Sequence, residues 1–486
     1  MIALRQKIQQ NLTQLGDCPA ILLGRKGGVT YAELSKWVGG IQHAIAQDHQ
    51  TIGILASRTA PAYAAVLACF LAGKRFVPLN PDFPIARLEK VVNVSGIDVV
   101  LFDPKAEEIA KELFDTCINL SDLKEKSSDG AALQLEEKID GAAICYQLFT
   151  SGSTGEPKGV PISYASLDHY ISSITDILRP AAGARFSQLF DLTFDLSMHD
   201  IFLCFSTGGE LVPAGQMDIL MPHRYIEKSK INYWFSVPML ALAATRGLEG
   251  AVPEHKLTNA AFCGEALPEA YARDFKVFLN AGAQLWNLYG PTEATIAFTA
   301  CRHPDTGFEL STVPLGVPFG ENVIAIEAED GSIVDCVNGA EGELLLGGPQ
   351  VFKGYEPEVD KPCFTDTTQR YYRSGDQVRM RAGQLEHLGR IDDQVKIRGF
   401  RIELGDVEMA FRSRYNCDTA VAVVLGDGAG ATIALVYTGT VEIDDLAGLT
   451  DVLPQYMHPN RAIRIDSMPI NVNGKIDRRA ILDMFK

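Results

Sequence analysis

The chain has 486 residues, with 44 Lys+Arg against 61 Asp+Glu, and a formal net charge of −17. At 47% hydrophobic and 22% charged residues it has an ordinary globular composition, which excludes wholesale disorder and fibrous repeats. At roughly 100–200 residues per domain, its length predicts several domains. The acidic balance argues against nucleic acid or an anionic membrane surface as the main partner. Ten Cys are scattered from Cys18 to Cys417 without a C-x-x-C pair. Neither a metal cluster nor a disulfide framework is expected, and reduced thiols in a cytoplasmic setting fit best.

The N-terminal Met1–Gln10 turns polar within a few residues and lacks the apolar core of a signal peptide. Thr51–Ala56 reads as a buried strand and Pro61–Ala72 as a helix. The apolar run Ala60–Gly73 contains Pro61 and stops at Lys74-Arg75, short of the ~18 residues a membrane helix needs, so a buried helix is expected and no membrane insertion. A helical pattern over Pro84–Ser95 and a strand over Asp98–Phe102 continue an alternation that predicts an α/β architecture with largely parallel sheets. Apolar Ala142–Phe149 and Val160–Ile162 bracket a Gly-rich segment. From about Val313 short apolar runs broken by Gly, such as Val323–Ile326 and Gly342–Leu346, predict a smaller β-rich unit. After Asp392 come a strand at Gln394–Ile397, a helix at Glu403–Arg414 and strands at Thr419–Leu425 and Ile433–Tyr437, enough for a small α+β domain.

The Gly-rich segment, Thr150-Ser151-Gly152-Ser153-Thr154-Gly155-Glu156-Pro157-Lys158-Gly159, can present backbone N–H groups, hydroxyls and a cation to a polyphosphate. It is not a Walker loop, because Pro157 stands where that pattern needs its second Gly. It resembles the phosphate-binding loop of the adenylate-forming superfamily, which includes acyl-CoA synthetases, luciferases and the adenylation domains of nonribosomal peptide synthetases. Four further segments resemble that superfamily's motifs in its order: Tyr289-Gly290-Pro291-Thr292-Glu293-Ala294-Thr295, Tyr372-Arg373-Ser374-Gly375-Asp376, Gly389 to Glu403, and Asn471 to Arg478.

The resemblance implies an α/β protein whose large N-terminal part, residues 1–389, holds two α/β subdomains and a small β-rich one. A hinge at 390–392 and a small mobile α+β domain at 393–486 would follow, with the active site between them. The chemistry implied is attack of a carboxylate on the α-phosphorus of ATP, which requires cations and N–H donors around two anions. Thr150, Ser151, Ser153, Thr154 and Lys158 would hold the terminal phosphates. Thr292 would meet the α-phosphate and Glu293 would ligate Mg²⁺, a hard ion that prefers carboxylate oxygen. Asp376 would take the ribose hydroxyls with support from Arg390, while Tyr289 would stack on adenine. Lys475 would bridge the substrate carboxylate and the ribose–phosphate oxygens. Asp392, in a segment bounded by Gly389 and Gly399, would be the hinge residue.

The segment Phe190–Phe202 contains two overlapping Phe-Asp-Leu-hydroxyl registers, and the second fits the amino-acid-activating pattern better because Gly208-Gly209 follows at the right place. Asp195 then becomes the partner of the substrate's α-ammonium, since a partly buried cation needs an anion. The competing reading makes Asp195 a helix N-cap. Pocket positions carried over by motif are Leu196, His199, Ser236, Ala261, Cys263, Leu288, Ile296 and Ala297. They are mostly apolar and medium-sized, which implies a small neutral amino acid, with D-alanine and proline as candidates. Phe194–Ser197, Ser236 and Phe262–Pro268 resemble the D-alanine:carrier-protein ligases, whereas His199, Ala261 and Leu288 depart from them. His199 can equally be a satisfied wall histidine. Because the chain stops shortly after Lys475, the expected acceptor is the phosphopantetheine thiol of a separate carrier protein. Two alternatives stand beside this: an acyl- or aryl-CoA ligase whose substrate lacks an amine, and an inactive ATP-binding partner protein.

Overall fold

The computed structural model describes residues 2–486 apart from 25–26, 46–48, 127–132, 137, 151–156, 359–362, 366, 427–429, 441, 444 and 471–475. The chain forms two compact units. The larger contains residues up to Pro81, Ser95–Leu148 and Val160–Gly389; the smaller contains Asp82–Val94, Phe149–Gly159 and Arg390–Lys486.

The larger unit is built on two α/β sheets and one β-meander. A six-stranded sheet runs in the order Cys117–Asn119, Val99–Phe102, Thr51–Leu55, Arg75–Leu79, Ile144–Thr150, Lys158–Ser163. Thr51–Leu55 pairs in parallel with both neighbours, and all five of its residues are buried. A strand covered on both faces needs apolar residues on both faces, which is why this one reads as a continuous run. The nine-stranded sheet has a parallel centre, formed by Glu210–Pro213, Arg185–Gln188, Tyr233–Ser236, Leu257–Phe262 and Leu279–Tyr289, with antiparallel strands at its edges. The α/β class expected from the alternation is the class observed. The β-rich texture after Val313 becomes a five-stranded sheet, Ile333–Val334, Val323–Glu327, Glu341–Gly347, Tyr372–Arg381 and Gln384–Arg390.

The apolar run after Thr59 is a helix, Ala60–Leu71, in which eleven of the twelve residues are buried. Phe70 meets Tyr164 of helix Tyr164–Leu178 at 5.5 Å between ring centroids and Phe202 of helix Asp195–Ser206 at 4.8 Å. A helix with neighbours all round has no use for a polar face. Among the described residues no helix is long and apolar enough to cross a membrane. Thr59 caps its start by accepting the Ala62 N–H at 3.4 Å. Its C-terminal carbonyls are met by Arg5, a guanidinium only 1% exposed: Nε donates to Phe70 O at 3.1 Å, Nη2 to Leu71 O, and Nη1 to Glu136 O at 2.7 Å. Cations and donors are favourable at a helix C-terminus because its last carbonyls have no partner within the helix.

In the smaller unit, Gln394–Ile397 pairs with Phe400–Glu403, and Thr419–Leu425, Thr432–Thr438 and Arg461–Arg464 form a second sheet. Helix Leu404–Tyr415 places Val407 and Phe411 in a core with Ile402, Leu435 and Tyr437. Among the described residues, which include all ten cysteines, no disulfide forms.

Replacing Arg5 by Met keeps the packed stem but removes its donors from three carbonyls, of which Phe70 O keeps the Tyr164 hydroxyl and Leu71 O the Glu136 N–H. Arg5→Met is expected to destabilise the larger unit by about 1–3 kcal/mol, read as a lower urea midpoint at unchanged m-value. An unchanged midpoint would show that the carbonyls find other donors.

Candidate active site

Strands Tyr233–Ser236, Leu257–Phe262 and Leu279–Tyr289 are adjacent and parallel, with Ser236 opposite Phe262 and Phe262 opposite Asn287. Ser236, Cys263 and Leu288 therefore stand together at the carboxyl ends of three strands, the place where parallel sheets receive ligands. Ala261 lies one step back, between Phe235 and Trp286. Leu196, Cys263, Leu288, Ile296 and Ala297 belong to one apolar cluster. The Ser236 hydroxyl is already committed: it accepts the Trp234 indole N–H at 2.9 Å and donates to Val237 O at 3.0 Å.

Asp195 is the first residue of helix Asp195–Ser206, and the capping position belongs to Phe194, which makes no side-chain cap bond. The N-cap reading of Asp195 is thereby corrected. A carboxylate in the first turn is favoured by the helix dipole. Its charge, after the dominant effect of burial, helps to raise the Tyr146 and Tyr170 hydroxyls well above the usual phenol range. His199, one turn further on, is fully buried between two tyrosines: Nδ1 lies 2.6 Å from Tyr170 Oη and Nε2 lies 2.8 Å from Tyr233 Oη. Burial pushes its pKa down to about 3, so the imidazole is neutral. Of the two readings of His199, the satisfied histidine describes its bonding.

Tyr289 ends its strand, and the loop after it closes where the Phe298 N–H meets Tyr289 O at 2.6 Å. Gly290 is required there, because a Cβ at that position would stand 2.7 Å from the Ala297 Cα. A short 3-10 turn, Thr292–Ala294, then carries Thr292 and Glu293. Glu293 is fully buried, and its Oε1 accepts the Tyr355 hydroxyl at 2.6 Å. The Tyr289 hydroxyl donates to Asp376 Oδ2 at 2.7 Å, while His387 Nε2 lies 3.1 Å from Asp376 Oδ1. Asp376 is 2% exposed, and its own N–H bonds Ser374 Oγ at 3.1 Å, a hydroxyl that in turn donates to Leu344 O at 2.7 Å. Arg373 is gripped by Glu327 and Glu343. Thus the aromatic of one motif and the carboxylate of another, far apart in sequence, form one bonded unit.

Thr150 ends strand Ile144–Thr150 and Lys158 begins strand Lys158–Ser163, so a strand stands on each side of the Gly-rich segment. Ser151, Ser153 and Thr154 lie outside the described residues, as does Lys475. In the smaller unit, Arg390 holds Asp392 in a two-bond pair, Nε to Oδ1 and Nη2 to Oδ2, each at 2.7 Å. Burial raises the Asp392 pKa, but the bonds and charge of Arg390 outweigh it and leave the carboxyl below its usual value. Tyr170, Tyr233, Tyr355 and His387 escaped the reading of the sequence. None lies in a motif with a nucleotide-binding signature except through the residue it bonds. Among the described residues no group of three or more His, Cys, Asp or Glu could hold a metal ion.

A histidine neutral in the fold and ordinary when unfolded makes stability depend on pH. With a native pKa of about 3 against the ordinary 6.5, its stabilising neutrality is fully present above 6.5 and is lost progressively as pH falls toward 3. Below 6.5 this group adds a slope of about 1.4 kcal/mol per pH unit. His199→Gln removes that slope, and urea titrations of both proteins at pH 7, 6 and 5 (about one unit apart) measure the difference. Equal slopes would mean that His199 titrates normally.

The sequence pattern of AMP-binding enzymes matches residues 8–356. A D-alanine--D-alanyl carrier protein ligase of Bacillus licheniformis is 30% identical, the match covering 93% of this chain and 94% of the relative. Malpinin synthetase of Mortierella alpina is also 30% identical over 99% of this chain, but the chain spans only 6% of that protein's length. Among solved structures, the adenylation domain AlmE of Vibrio cholerae, in complex with glycyl-adenosine-5'-phosphate, superposes with a TM-score of 0.86 at 28% identity, covering 100% of this chain and 98% of that one. A match over most of the chain, with the motif residues bonded to one another as described, places it: the protein belongs to the AMP-binding enzyme family.

Proposed function

We propose that this chain activates a small neutral amino acid with ATP as its aminoacyl adenylate, then passes the aminoacyl group to the phosphopantetheine thiol of a separate carrier protein. The observation that carries this reading is Asp195, a carboxylate in the first turn of its helix beside buried Tyr146 and Tyr170, next to an apolar pocket wall. An α-ammonium leaving water needs such a counter-charge, and a carboxylic acid without an amine does not. The end-to-end similarity to a D-alanine carrier-protein ligase supports the same substrate class.

In the first step one carboxylate oxygen of the amino acid bonds to the α-phosphorus of ATP, and the bond from that phosphorus to the bridging oxygen breaks, releasing pyrophosphate. In the second, a thiolate attacks the acyl carbon and AMP leaves with the bonding pair. Asp195 would orient the ammonium. Tyr289 and Asp376, already bonded, would offer the nucleoside an aromatic face and a carboxylate for the ribose hydroxyls. Thr150, Ser151, Ser153, Thr154 and Lys158 would bind the terminal phosphates, Thr292 the α-phosphate, and Lys475 the oxygens between the two reactants. A Mg²⁺ bound through nucleotide phosphates and water needs only one or two protein carboxylates, so the single buried Glu293 fits it. When bound, the ion would neutralise phosphate charge. Arg390 would serve the ribose and Asp392 the hinge between residues 1–389 and 393–486. The neutral His199 and the committed Ser236 hydroxyl leave these pocket positions no charge with which to recruit a charged side chain.

Exchange of labelled pyrophosphate into ATP, run over D- and L-amino acids with short acyl and aryl acids, is expected to respond to one small neutral amino acid. Asp195→Ala should then cut exchange by about a hundredfold, mainly through KM for the amino acid, the cost of an unpaired buried charge being about 3 kcal/mol. Exchange only with acids lacking an amine would replace the proposal with a CoA ligase. Loss of transfer to every carrier protein, with transfer to free coenzyme A intact, would overturn the acceptor.

A further inference from the structure

Behind the pocket lies a polar side chain that no motif contains. Gln350 follows strand Glu341–Gly347 and is fully buried, and both ends of its carboxamide are engaged. Nε2 donates toward three main-chain carbonyls, those of Ala294 at 3.1 Å, Thr295 at 3.2 Å and Ala297 at 2.7 Å. Oε1 accepts from Asn322 Nδ2 at 2.9 Å and lies 3.0 Å from His169 Nδ1. His169 Nε2 accepts the Glu321 N–H at 3.1 Å, so its proton sits on Nδ1 and points into Gln350. These neighbours fix the amide orientation: two donors face the oxygen and three acceptors face the nitrogen. The Thr295 hydroxyl completes the set by donating to Gln350 O at 2.6 Å.

The backbone that the carboxamide grips is strained. Thr295 and Ile296 have φ of 58° and 70°, a region that β-branched residues avoid. The Ala297 N–H bonds Thr295 O at 2.9 Å, closing a three-residue turn with Ile296 at its centre in the rare positive-φ sense. Both side chains are fully buried. Two such residues in succession persist only where the surroundings over-determine them, and here Gln350 supplies side-chain bonds to three of the turn's carbonyls beside the backbone bonds that flank it.

We infer that Gln350 is a positioning residue for substrate selection: its buried carboxamide holds the Ala294–Ala297 turn in its strained form and thereby sets where Ile296 and Ala297 stand in the pocket wall. The inference rests on the proposed reading of Ile296 and Ala297 as substrate-pocket positions. In a pocket that selects by size, a wall moved by about 1 Å changes selectivity far more than a surface substitution does. Gln350 itself touches no substrate.

Gln350→Met keeps the volume and removes the donors, and Gln350→Glu turns an oxygen toward the three carbonyls. Both are compared with the unaltered enzyme by pyrophosphate exchange and by amide hydrogen exchange. The expected result is a rise of about tenfold or more in KM for the small amino acid, with KM for ATP within about twofold and relaxed discrimination against the next larger side chain. Peptides covering residues 290–300 should lose protection while the rest of the larger unit keeps it. A fall in active enzyme with both KM values unchanged, or unchanged protection over 290–300, overturns the inference. If the unaltered enzyme shows no amino-acid-dependent exchange, the proposed function fails, and protection over 290–300 alone then decides whether Gln350 holds the turn. Should Gln350→Glu not fold, Gln350→Met carries the same comparison.

Discussion

Four polar side chains at the candidate site, His199, Glu293, Gln350 and Asp376, are at most 2% exposed, and a polar group so far from water persists only when the protein meets its hydrogen bonds. Much of the local structure follows from that demand. His199 needs two hydroxyls and finds them on Tyr170 and Tyr233; Glu293 takes Tyr355; Asp376 takes Tyr289 and His387. Each partner arrives from a different segment, so satisfying the site ties helices, sheet edges and the β-meander together. Pairing of this kind orients groups more than it stabilises them, since each bond mostly replaces one lost to water.

The same bonds give the site its division of labour. Tyr289 and Asp376 form a pre-assembled pair that a nucleoside would not have to organise, which lowers the ordering cost of binding. Around the pocket, by contrast, the polar groups are turned inward on one another. His199 is held neutral and the Ser236 hydroxyl donates to its own chain, so under the proposed function apolar Leu196, Leu288, Ile296 and Ala297 would act by shape. Asp195 is a carboxylate in the first turn of its helix, where the dipole favours it.

Most of the elements named from the sequence fall within a residue or two of those observed. Pro61–Ala72 was expected as a buried helix and is Ala60–Leu71; Gln394–Ile397 and Thr419–Leu425 are strands with the bounds expected. These segments were legible because apolar periodicity is local and burial is nearly complete. The motif residues were legible for another reason: their types and order answer a chemical need that few arrangements meet. Where two options stood open, the geometry bears on the local bonding of each. Asp195 is inside its helix and does not cap it, and His199 is a bonded wall histidine.

What escaped were partners rather than principals. Tyr170, Tyr233, Tyr355, His387 and Gln350 sit in segments whose local sequence announces only a strand, a helix or a turn. Their roles come from residues brought close by the fold, Gln350 to the carbonyls of Ala294–Ala297 and His387 to Asp376. The sequence alone determined the α/β class and the order of the motifs, and through the family resemblance it nominated the groups proposed to meet phosphate, ribose and ammonium. Only the tertiary structure decided which lone pairs and protons those groups have left to offer, because that depends on neighbours distant in the chain. It also decided that a β-branched turn at Ile296 could be held at positive φ, since the restraint comes from a carboxamide more than fifty positions away.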